Sequence, residues 1–492
     1  MPRNWHPIAA ILLSATTTIL AVDNSWHPPN LSAINDLDHN LASDGVFDFI
    51  FDSSLVPDHL YGQYNYCNMP HVRKREYVVA PEEYELVYVE VIHRHHKRTP
   101  YQSNTFPVEL DTWYCDNAQL YHYGQPSVNE EQNSANTFWQ LEDNPFDLLL
   151  ASHGNDDGSG RGFPGTCVFP QITRSGLQDS WQHGHDLFEV YHDLLRFLPD
   201  AIDLKKMEFR VTNNVITSQV AGMVIAGMYG EQRGVGVPLH VQKTGIDSLE
   251  PQYHCPGGRS LFEKIRSSDA SSPWQIHLNK TKDLIRSLDN VSGVPEDNPD
   301  WHTSYDHYFD NLSSRLCHSK PLPCKQQDVP DSGCITRIQA NSIFRLGQWE
   351  YSRLYRDAPS SLTTSVALYG VFIAELAQHL RDQIAFLGVN VDQTDRVLYR
   401  HNVAHDGSIS RILSVLQIER MVWPGMGAEI AFELYHKEDN AFFVRVLWGG
   451  QVMRSSNPEL GNMEFLDVYR LLDYFDSLVG QGATSVVELC WM

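Results

Sequence analysis

The feature that most limits the fold of this chain is a strand that ends in a cluster of positive charge. Residues 84–92 read YELVYVEVI, and this β-branched and aromatic run predicts a buried strand. The next eight residues, 93–100, read HRHHKRTP. Open α/β sheets bind their ligands at the carboxyl ends of their strands. The sequence therefore predicts a binding loop directly after a core strand.

Strand and helix patterns alternate along the rest of the chain. β-branched and apolar runs predict further strands at 207–211, 396–402, 429–435 and 442–448. Apolar residues three and four positions apart predict helices at about 177–198, 218–228, 365–386, 408–416 and 465–478. This alternation favours an α/β fold with a central mixed, mostly parallel sheet flanked by helices.

The overall charge limits the partners of the protein. The 492 residues include 61 acidic and 37 basic side chains, which give a formal net charge of −24. Such a field repels nucleic acid and anionic membrane surfaces, so we expect no nucleic-acid partner and no stable membrane association. A small anion can still bind where a few cations meet in a cleft, because they dominate at short range.

Three features indicate export from the cytosol. Arg3 precedes an apolar stretch from Ile8 to Leu20, and polar residues follow Ala21, which is the layout of a secretory signal peptide; an uncleaved anchor is the alternative. Eight cysteines without a C-x-x-C pair favour disulfides over a zinc site. Four N-x-S/T acceptors are present, at Asn30, Asn279, Asn290 and Asn311. We therefore expect a secreted, disulfide-bonded glycoprotein.

Residues 93–100 have the chemistry of an oxyanion site. Arg94 and Arg98 can hold phosphate oxygens, and His95 between them offers a nitrogen nucleophile whose pKa the two guanidinium groups lower. A solvated basic patch is the alternative. Metal binding by His93 and His95, which alternate along an extended chain, is disfavoured because the neighbouring cations repel a divalent ion.

A second polar cluster, residues 401–408, reads HNVAHDGS and follows another predicted strand. His405 can add a hydrogen-bond donor to a bound phosphoryl group. Asp406, near a helix N-terminus, can pass a proton to a leaving oxygen. The alternative for Asp406 is an ordinary helix cap, and the spacing alone does not decide between these roles.

Together the two clusters resemble the histidine acid phosphatase family, whose hallmark is R-H-G-x-R-x-P. Residues 94–100 read RHHKRTP, and residues 171–178 read QITRSGLQ, which is similar to the family's L-T-x-x-G-x-x-Q. Residues 405–406 look like the family's second catalytic motif, and the closing hairpin around 432–434 is similar too. The resemblance covers most of residues 84–480.

The resemblance implies a phosphomonoester hydrolase that acts on a small phosphomonoester and needs no metal or other cofactor. His95 would be the nucleophile that forms a phosphohistidine, and Asp406 would be the general acid. The phosphoryl group would be bound by Arg94, Arg98 and His405.

The implied architecture is an α/β core with a mainly helical cap built from insertions. We expect a signal peptide at 1–21, an N-terminal extension of little regular structure at 22–80 and a histidine phosphatase domain at 81–492. The core of this domain is expected at about 81–110, 170–245 and 365–492, and its cap and insertions at about 111–169 and 246–364.

Two residues depart from the family pattern. His96 stands where the family has glycine. Residues 210–217, RVTNNVIT, resemble the family's R-S-T-D-x-x-R-T, but the second arginine, a phosphate ligand in the family, is Ile216 here. Lys97 and Arg174 are the candidate replacements. Without a replacement, the alternative is a secreted binding protein on the same fold with weak or no activity; a metal-dependent phosphohydrolase built on a His-Asp motif is a third reading.

Overall fold

The computed structural model describes residues 22–46, 63–108, 111–118, 165–230, 236–325, 333–387, 396–438 and 441–492, and two short strands between 118 and 165. The predicted signal peptide at 1–21 lies outside the described residues. Among these residues no single helix is long and apolar enough to cross a membrane; Arg337–Asp357 and Ser361–Leu387 reach that length and apolarity only together, across a bend of 80°.

The described chain contains ten strands, eight of which form one sheet. In chain order they are β1 (Glu85–Arg94), β2 (Tyr121–His122), β3 (Thr137–Phe138), β4 (Met207–Val211), β5 (Leu239–His240), β6 (Tyr399–Ala404), β7 (Glu429–His436), β8 (Phe442–Trp448), β9 (Gln451–Val452) and β10 (Leu466–Asp467). The order across the sheet is β10-β8-β7-β1-β6-β4-β5, with β9 beside β8, while β2 pairs with β3 separately.

The sheet is mixed, as predicted. β1, β6, β4 and β5 run parallel to one another. β7 pairs antiparallel with β1, and β8, β9 and β10 continue the sheet through antiparallel pairs. From its third residue onward, β1 is buried along its whole length. A strand covered on both faces reads as a continuous apolar run, which explains why the sequence pattern identified it.

Helices cover both faces of the sheet. They are α1 (Leu37–Ala42), α2 (Arg174–Phe188), α3 (Val215–Tyr229), α4 (Pro256–Ile265), α5 (Pro273–Lys280), α6 (Lys282–Ser292), α7 (Pro299–His302), α8 (Asp306–Cys317), α9 (Arg337–Ser352), α10 (Ser361–Leu387), α11 (Asp406–Val415), α12 (Val468–Val479) and α13 (Thr484–Cys490). Alternate residues of β1 separate the two apolar layers. Val89 and Val91 pack with α2 and α3, and Tyr88 and Ile92 pack with α10, α11 and α12.

A third apolar cluster lies among helices α6 to α9, around Trp301, Phe309 and Phe344. This is the helical cap that the fold class predicted, although the domain boundaries themselves stay a prediction. The N-terminal segment has one short helix and is otherwise irregular in its described part. Its residue Cys67 is buried and disulfide-bonded to Cys317 of α8, so the segment is fastened to the cap.

All eight cysteines are paired, which confirms the prediction of disulfides. The pairs are Cys67–Cys317, Cys115–Cys167, Cys255–Cys490 and Cys324–Cys334. In the chain-entropy view, a bond that closes a loop of more than 200 residues stabilises by about 5 kcal/mol. Two of the four close such loops, with sequence separations of 250 and 235 residues.

The four asparagines of the N-x-S/T acceptors differ in solvent exposure. Asn30, Asn279 and Asn290 are exposed, whereas Asn311 in α8 is fully buried. The side-chain nitrogen of Asn311 donates to the Asn104 carbonyl at 2.8 Å, and its oxygen accepts from Arg315 Nε at 2.9 Å. The expectation of four glycan acceptors is therefore wrong for Asn311, because a glycan there would break these bonds and open the helix packing.

In a secreting eukaryotic host, glycopeptide mapping of the folded protein is expected to find glycans on Asn30, Asn279 and Asn290 but none on Asn311. Two matched variants test this pattern. Ser313→Ala, which deletes the Asn311 acceptor, should leave the glycan mass unchanged, whereas Ser292→Ala, which deletes the Asn290 acceptor, should remove one glycan. A folded chain glycosylated at Asn311 would contradict the burial of that side chain.

Candidate active site

Two loops meet because β1 and β6 are adjacent parallel strands. Arg94, the last residue of β1, pairs in register with Ala404, the last residue of β6. The amide of His95 donates to the Ala404 carbonyl at 3.0 Å. The two polar segments predicted from the sequence therefore leave the same edge of the sheet side by side, which is where parallel sheets bind ligands.

His95 is oriented by the backbone of its own loop. The residue is 1% exposed, and Nδ1 lies 3.0 Å from the His96 carbonyl. Because a carbonyl can only accept, Nδ1 carries the ring hydrogen and Nε2 keeps its lone pair. Burial, and then the charges of Arg98 and Arg94, hold the pKa of His95 well below its usual value. The imidazole of His95 is thus neutral, and burial is the larger cause of its lowered pKa; its role as nucleophile stays a prediction.

Arg94 and Arg98 are both buried at this edge. Nη2 of Arg94 lies 3.0 Å from Asp406 Oδ2, and its Nη1 donates to the Pro424 carbonyl at 2.6 Å. Nη1 of Arg98 lies 3.1 Å from Asp310. The Nε–H of each guanidinium is buried without a hydrogen-bond partner among the described residues. Buried donors are nearly always satisfied in folded proteins, so two such groups in one cavity indicate an anion site.

His405 lies opposite His95, with the two ring centroids 5.5 Å apart. Its Nε2 lies 2.9 Å from the hydroxyl of Thr212, which directly follows β4. Burial lowers the pKa of His405 to about 4, against the raising effect of Asp406. The ring is therefore neutral over most of the acid range, and it can offer an N–H to a bound oxygen.

Asp406 is the first residue of α11. Its carboxylate accepts from the Gly407 amide and from the indole Nε1–H of Trp423, each at 2.8 Å. Burial alone would raise the pKa of Asp406, but Arg94, Trp423 and then Arg98 hold it below its usual value. In the free protein the carboxylate is therefore ionised and fixed in place. The helix-cap alternative and the catalytic role are compatible, since one oxygen serves the helix and the other faces Arg94.

These side chains line one cavity of about 500 Å³. All five site residues predicted from the sequence belong to its wall: Arg94, His95, Arg98, His405 and Asp406. The remaining wall is largely supplied by helical cap segments, including Glu250, Phe262, Arg266, Asp306, Asp310, Tyr351 and Tyr355.

Ile216, which stands at the position of the missing family arginine, and the two candidate replacements, Lys97 and Arg174, lie outside the cavity wall. Ile216 is fully buried in the apolar layer between the sheet and α3, and it is not part of the cavity wall. Nζ of Lys97 pairs with Asp179 at 2.8 Å, and Arg174 is exposed at the start of α2. The expectation that residue 216 faces the phosphate is wrong because α3 turns this side chain into the core. Neither Lys97 nor Arg174 replaces the arginine.

Two other cations do line the cavity, and the sequence reasoning missed both. Nη1 of Arg411 donates to the Gly407 carbonyl at 2.8 Å, and its guanidinium lies over the Tyr355 ring at 5.4 Å from the centroid. Arg266 comes from the end of α4. The sequence could have indicated Arg411, because it lies on α11, the helix that begins at Asp406. No motif pointed to Arg266.

His93 and His96 lie behind the loop rather than in the cavity wall. Nε2 of His93 is 2.8 Å from His401 Nε2, and Nε2 of His96 is 3.2 Å from His183 Nδ1. The histidine at the family's glycine position is accommodated by another glycine. Gly427 has φ +72°, and a Cβ there would lie 2.7 Å from His96 Nε2.

Comparison with known proteins agrees with the motifs. No protein-family profile matches the chain. A probable acid phosphatase of Schizosaccharomyces pombe is 27% identical over 371 residues, 72% of this chain and 73% of that protein. Human 2-phosphoxylose phosphatase 1 is 21% identical over 402 residues, 80% of this chain and 77% of that protein. Counting factor 60 of Dictyostelium discoideum is 22% identical over 378 residues, which cover 74% of this chain and 79% of that protein.

Solved structures show the same fold. Hafnia alvei phytase in complex with myo-inositol hexakis sulphate aligns with a TM-score of 0.50 at 12% identity, over 82% of this chain and 99% of the phytase. The phosphatase relatives and the shared phytase fold confirm the resemblance to histidine acid phosphatases. In this chain, the hallmark motif of that family carries His96 in place of glycine, and the second arginine of the R-S-T-D-x-x-R-T motif is replaced by the core residue Ile216.

Proposed function

We propose that the protein hydrolyses small phosphomonoesters through a phosphohistidine formed on His95. The observation that carries the proposal is a single cavity where a neutral imidazole, two buried guanidinium groups and a carboxylate meet. The relatives named as an acid phosphatase and a 2-phosphoxylose phosphatase support the same class of reaction. No metal or cofactor takes part in the proposed steps.

In the first step, Nε2 of His95 attacks phosphorus and the bond from phosphorus to the alcohol oxygen breaks. Arg94, Arg98 and His405 bind the other phosphoryl oxygens. Asp406 gives its proton to the leaving oxygen, so an alcohol departs. Arg94 keeps Asp406 ionised in the free protein; a bound phosphoryl dianion competes for Arg94 and adds negative charge, and both effects raise the pKa of Asp406.

In the second step, water attacks the phosphohistidine and the phosphorus–nitrogen bond breaks. The Asp406 carboxylate takes a proton from the water, and His95 returns to its neutral form with its hydrogen on Nδ1. Inorganic phosphate then leaves. Because the pKa of His95 is held well below its usual value, its imidazole stays neutral under mildly acidic conditions, which supports catalysis at mildly acid pH.

We also propose that the protein is secreted. Four disulfides persist in an oxidising compartment and are rare in the cytosol. Three exposed N-x-S/T acceptors are consistent with passage through the secretory pathway. The net charge of −24 continues to argue against nucleic acid or anionic membranes as partners.

Replacing the nucleophile tests the mechanism. His95→Ala is expected to reduce phosphate release by about 10⁴-fold or more, because no other nucleophile can take its place. Rapid acid-free quenching with a ³²P-labelled substrate should trap a phosphohistidine in the unaltered protein and none in the variant. The control is His192→Ala, which changes a histidine that pairs with Asp193 and Asp200. Turnover that survives His95→Ala would refute the mechanism.

The leaving group tests the general acid. Asp406→Asn should slow alkyl phosphates by about 100-fold or more and aryl phosphates far less, since an aryl oxide leaves without a proton. Asp306→Asn changes another carboxylate of the cavity wall and should affect both substrates alike. Equal losses on both substrates for Asp406→Asn would mean that Asp406 only positions Arg94.

Arg411 is the cavity cation best placed to replace the missing arginine. It lies on the same helix as Asp406, and one of its nitrogens is anchored by the Gly407 carbonyl at 2.8 Å. The Tyr355 ring supports the guanidinium plane. The anchored plane leaves further N–H groups for a phosphoryl oxygen.

Arg411→Gln is expected to lower kcat/KM on an aryl phosphate by about 100-fold, the usual effect of losing one charge-stabilising donor. Arg286→Gln, which changes an arginine exposed on α6, should have no effect. Ile216→Arg should destabilise the fold rather than raise activity, because it buries an unpaired charge. An unchanged kcat/KM in Arg411→Gln, with tight binding of phosphate and little turnover in the unaltered protein, would favour the binding-protein alternative.

A further inference from the structure

Four histidines lie together behind the phosphate-binding loop, and the proposed reaction does not use them. This histidine cluster consists of His93, His96, His183 and His401, none of them more than 1% exposed. One ring nitrogen from each of His93, His96 and His183 lies within 4.8 Å of the other two. Their facing nitrogens are 3.2 Å apart in the His96–His183 pair and 2.8 Å apart in the His93–His401 pair.

The outward nitrogens of this cluster meet hydrogen-bond acceptors. Nδ1 of His93 lies 2.9 Å from the Arg94 carbonyl, and Nε2 of His183 lies 2.7 Å from Glu429 Oε2. Metal-binding histidines usually donate their second ring N–H to a carbonyl or carboxylate in this way. Each such bond fixes the ring and leaves the opposite nitrogen with its lone pair facing the cluster.

Ser180 fixes His96 in the same sense. The Ser180 hydroxyl donates to the Gly176 carbonyl at 2.7 Å, so its oxygen accepts from Nδ1 of His96 at 3.0 Å. Nε2 of His96 then has no hydrogen. Its lone pair faces Nδ1 of His183 across 3.2 Å, inside the cluster where a metal ion would bind.

The spacing of the facing nitrogens suits a metal ion. Zinc–nitrogen bonds of 2.0–2.1 Å in a tetrahedron place neighbouring ligand nitrogens about 3.3 Å apart, close to the 3.2 Å between His96 Nε2 and His183 Nδ1. Glu429 Oε2 lies 2.7 Å from His183 Nε2, which is the carboxylate–histidine arrangement common at metal sites. The ring of His71, which is paired with Asp186, stacks on His183 at 4.2 Å.

The cations that made metal binding unfavourable from the sequence are paired with carboxylates in the structure. Arg94 pairs with Asp406, and Lys97 pairs with Asp179. The histidine then considered as the second ligand, His95, lines the cavity instead. The cluster therefore has a different ligand set from the one that the sequence suggested.

We propose that His93, His96 and His183 bind a divalent transition-metal ion, with Zn²⁺ as the first candidate and His401 as the fourth ligand. Neutral imidazoles are ligands that zinc prefers. The ion would be structural, because the cluster is buried and lies behind the cavity rather than in its wall. It would hold the loop of His95 against β6 and α2, and it is independent of the proposed function.

The test is metal content. The full chain is produced in zinc-supplemented medium, purified without a metal-affinity column and analysed by inductively coupled plasma mass spectrometry. One zinc per chain is expected, with an X-ray absorption spectrum showing imidazole nitrogens at about 2.0–2.1 Å. In His183→Gln the zinc content should fall by about ten-fold or more. His96→Gly, which restores the family's residue, is the second variant and should lose the ion likewise.

The matched control is His71→Gln. It removes an equally buried imidazole that stacks on His183, but its ring nitrogens face Asp186 and the Met69 carbonyl, so the ion should stay. A metal-free unaltered chain, or equal loss in His71→Gln, would overturn the proposal. Metal content needs no substrate, so a failed phosphatase assay does not affect this result.

Discussion

The site depends on one backbone interaction, the parallel pairing of β1 with β6. Arg94 lies opposite Ala404, so the residues that follow, His95 and His405, leave the sheet together. A slip of one residue on either strand would exchange the side chains that face the cavity for those that face the core. The position of His95 relative to Asp406 is thus set by the hydrogen bonds of the sheet rather than by the loops themselves.

The cavity contains a cluster of positive charges in a molecule whose net charge is negative. The chain carries a net charge of −24, yet Arg94, Arg98, Arg266 and Arg411 all line one cavity. Carboxylates pair with the two arginines of the hallmark motif and fix their planes, while the Nε–H of each is left without a partner among the described residues. Such preorganised donors need no rearrangement when an oxyanion arrives, which is the main electrostatic advantage of an enzyme site.

Behind this cavity, His96 stands at the family's glycine position and adds side-chain contacts between the loop of His95 and the core. The His96 ring fills space that Gly427 leaves open, and it contacts His183 of α2. Polar groups buried at this depth must be satisfied or they cost stability. Ser180, Glu429 and the Arg94 carbonyl supply hydrogen-bond partners to the rings of this cluster, and these bonds fasten the loop to the core.

Local patterns determined much of this protein. The strands predicted at 207–211 and 442–448 are found with those bounds, because side-chain periodicity is a property of neighbouring residues. The family motifs likewise supplied five of the residues that line the cavity. Only the tertiary structure decided that Ile216 points into the core, that Asn311 is buried and that Arg411 joins the cavity wall. These outcomes depend on strand register and helix packing between residues far apart in the chain, and no local pattern encodes which distant side chains will meet.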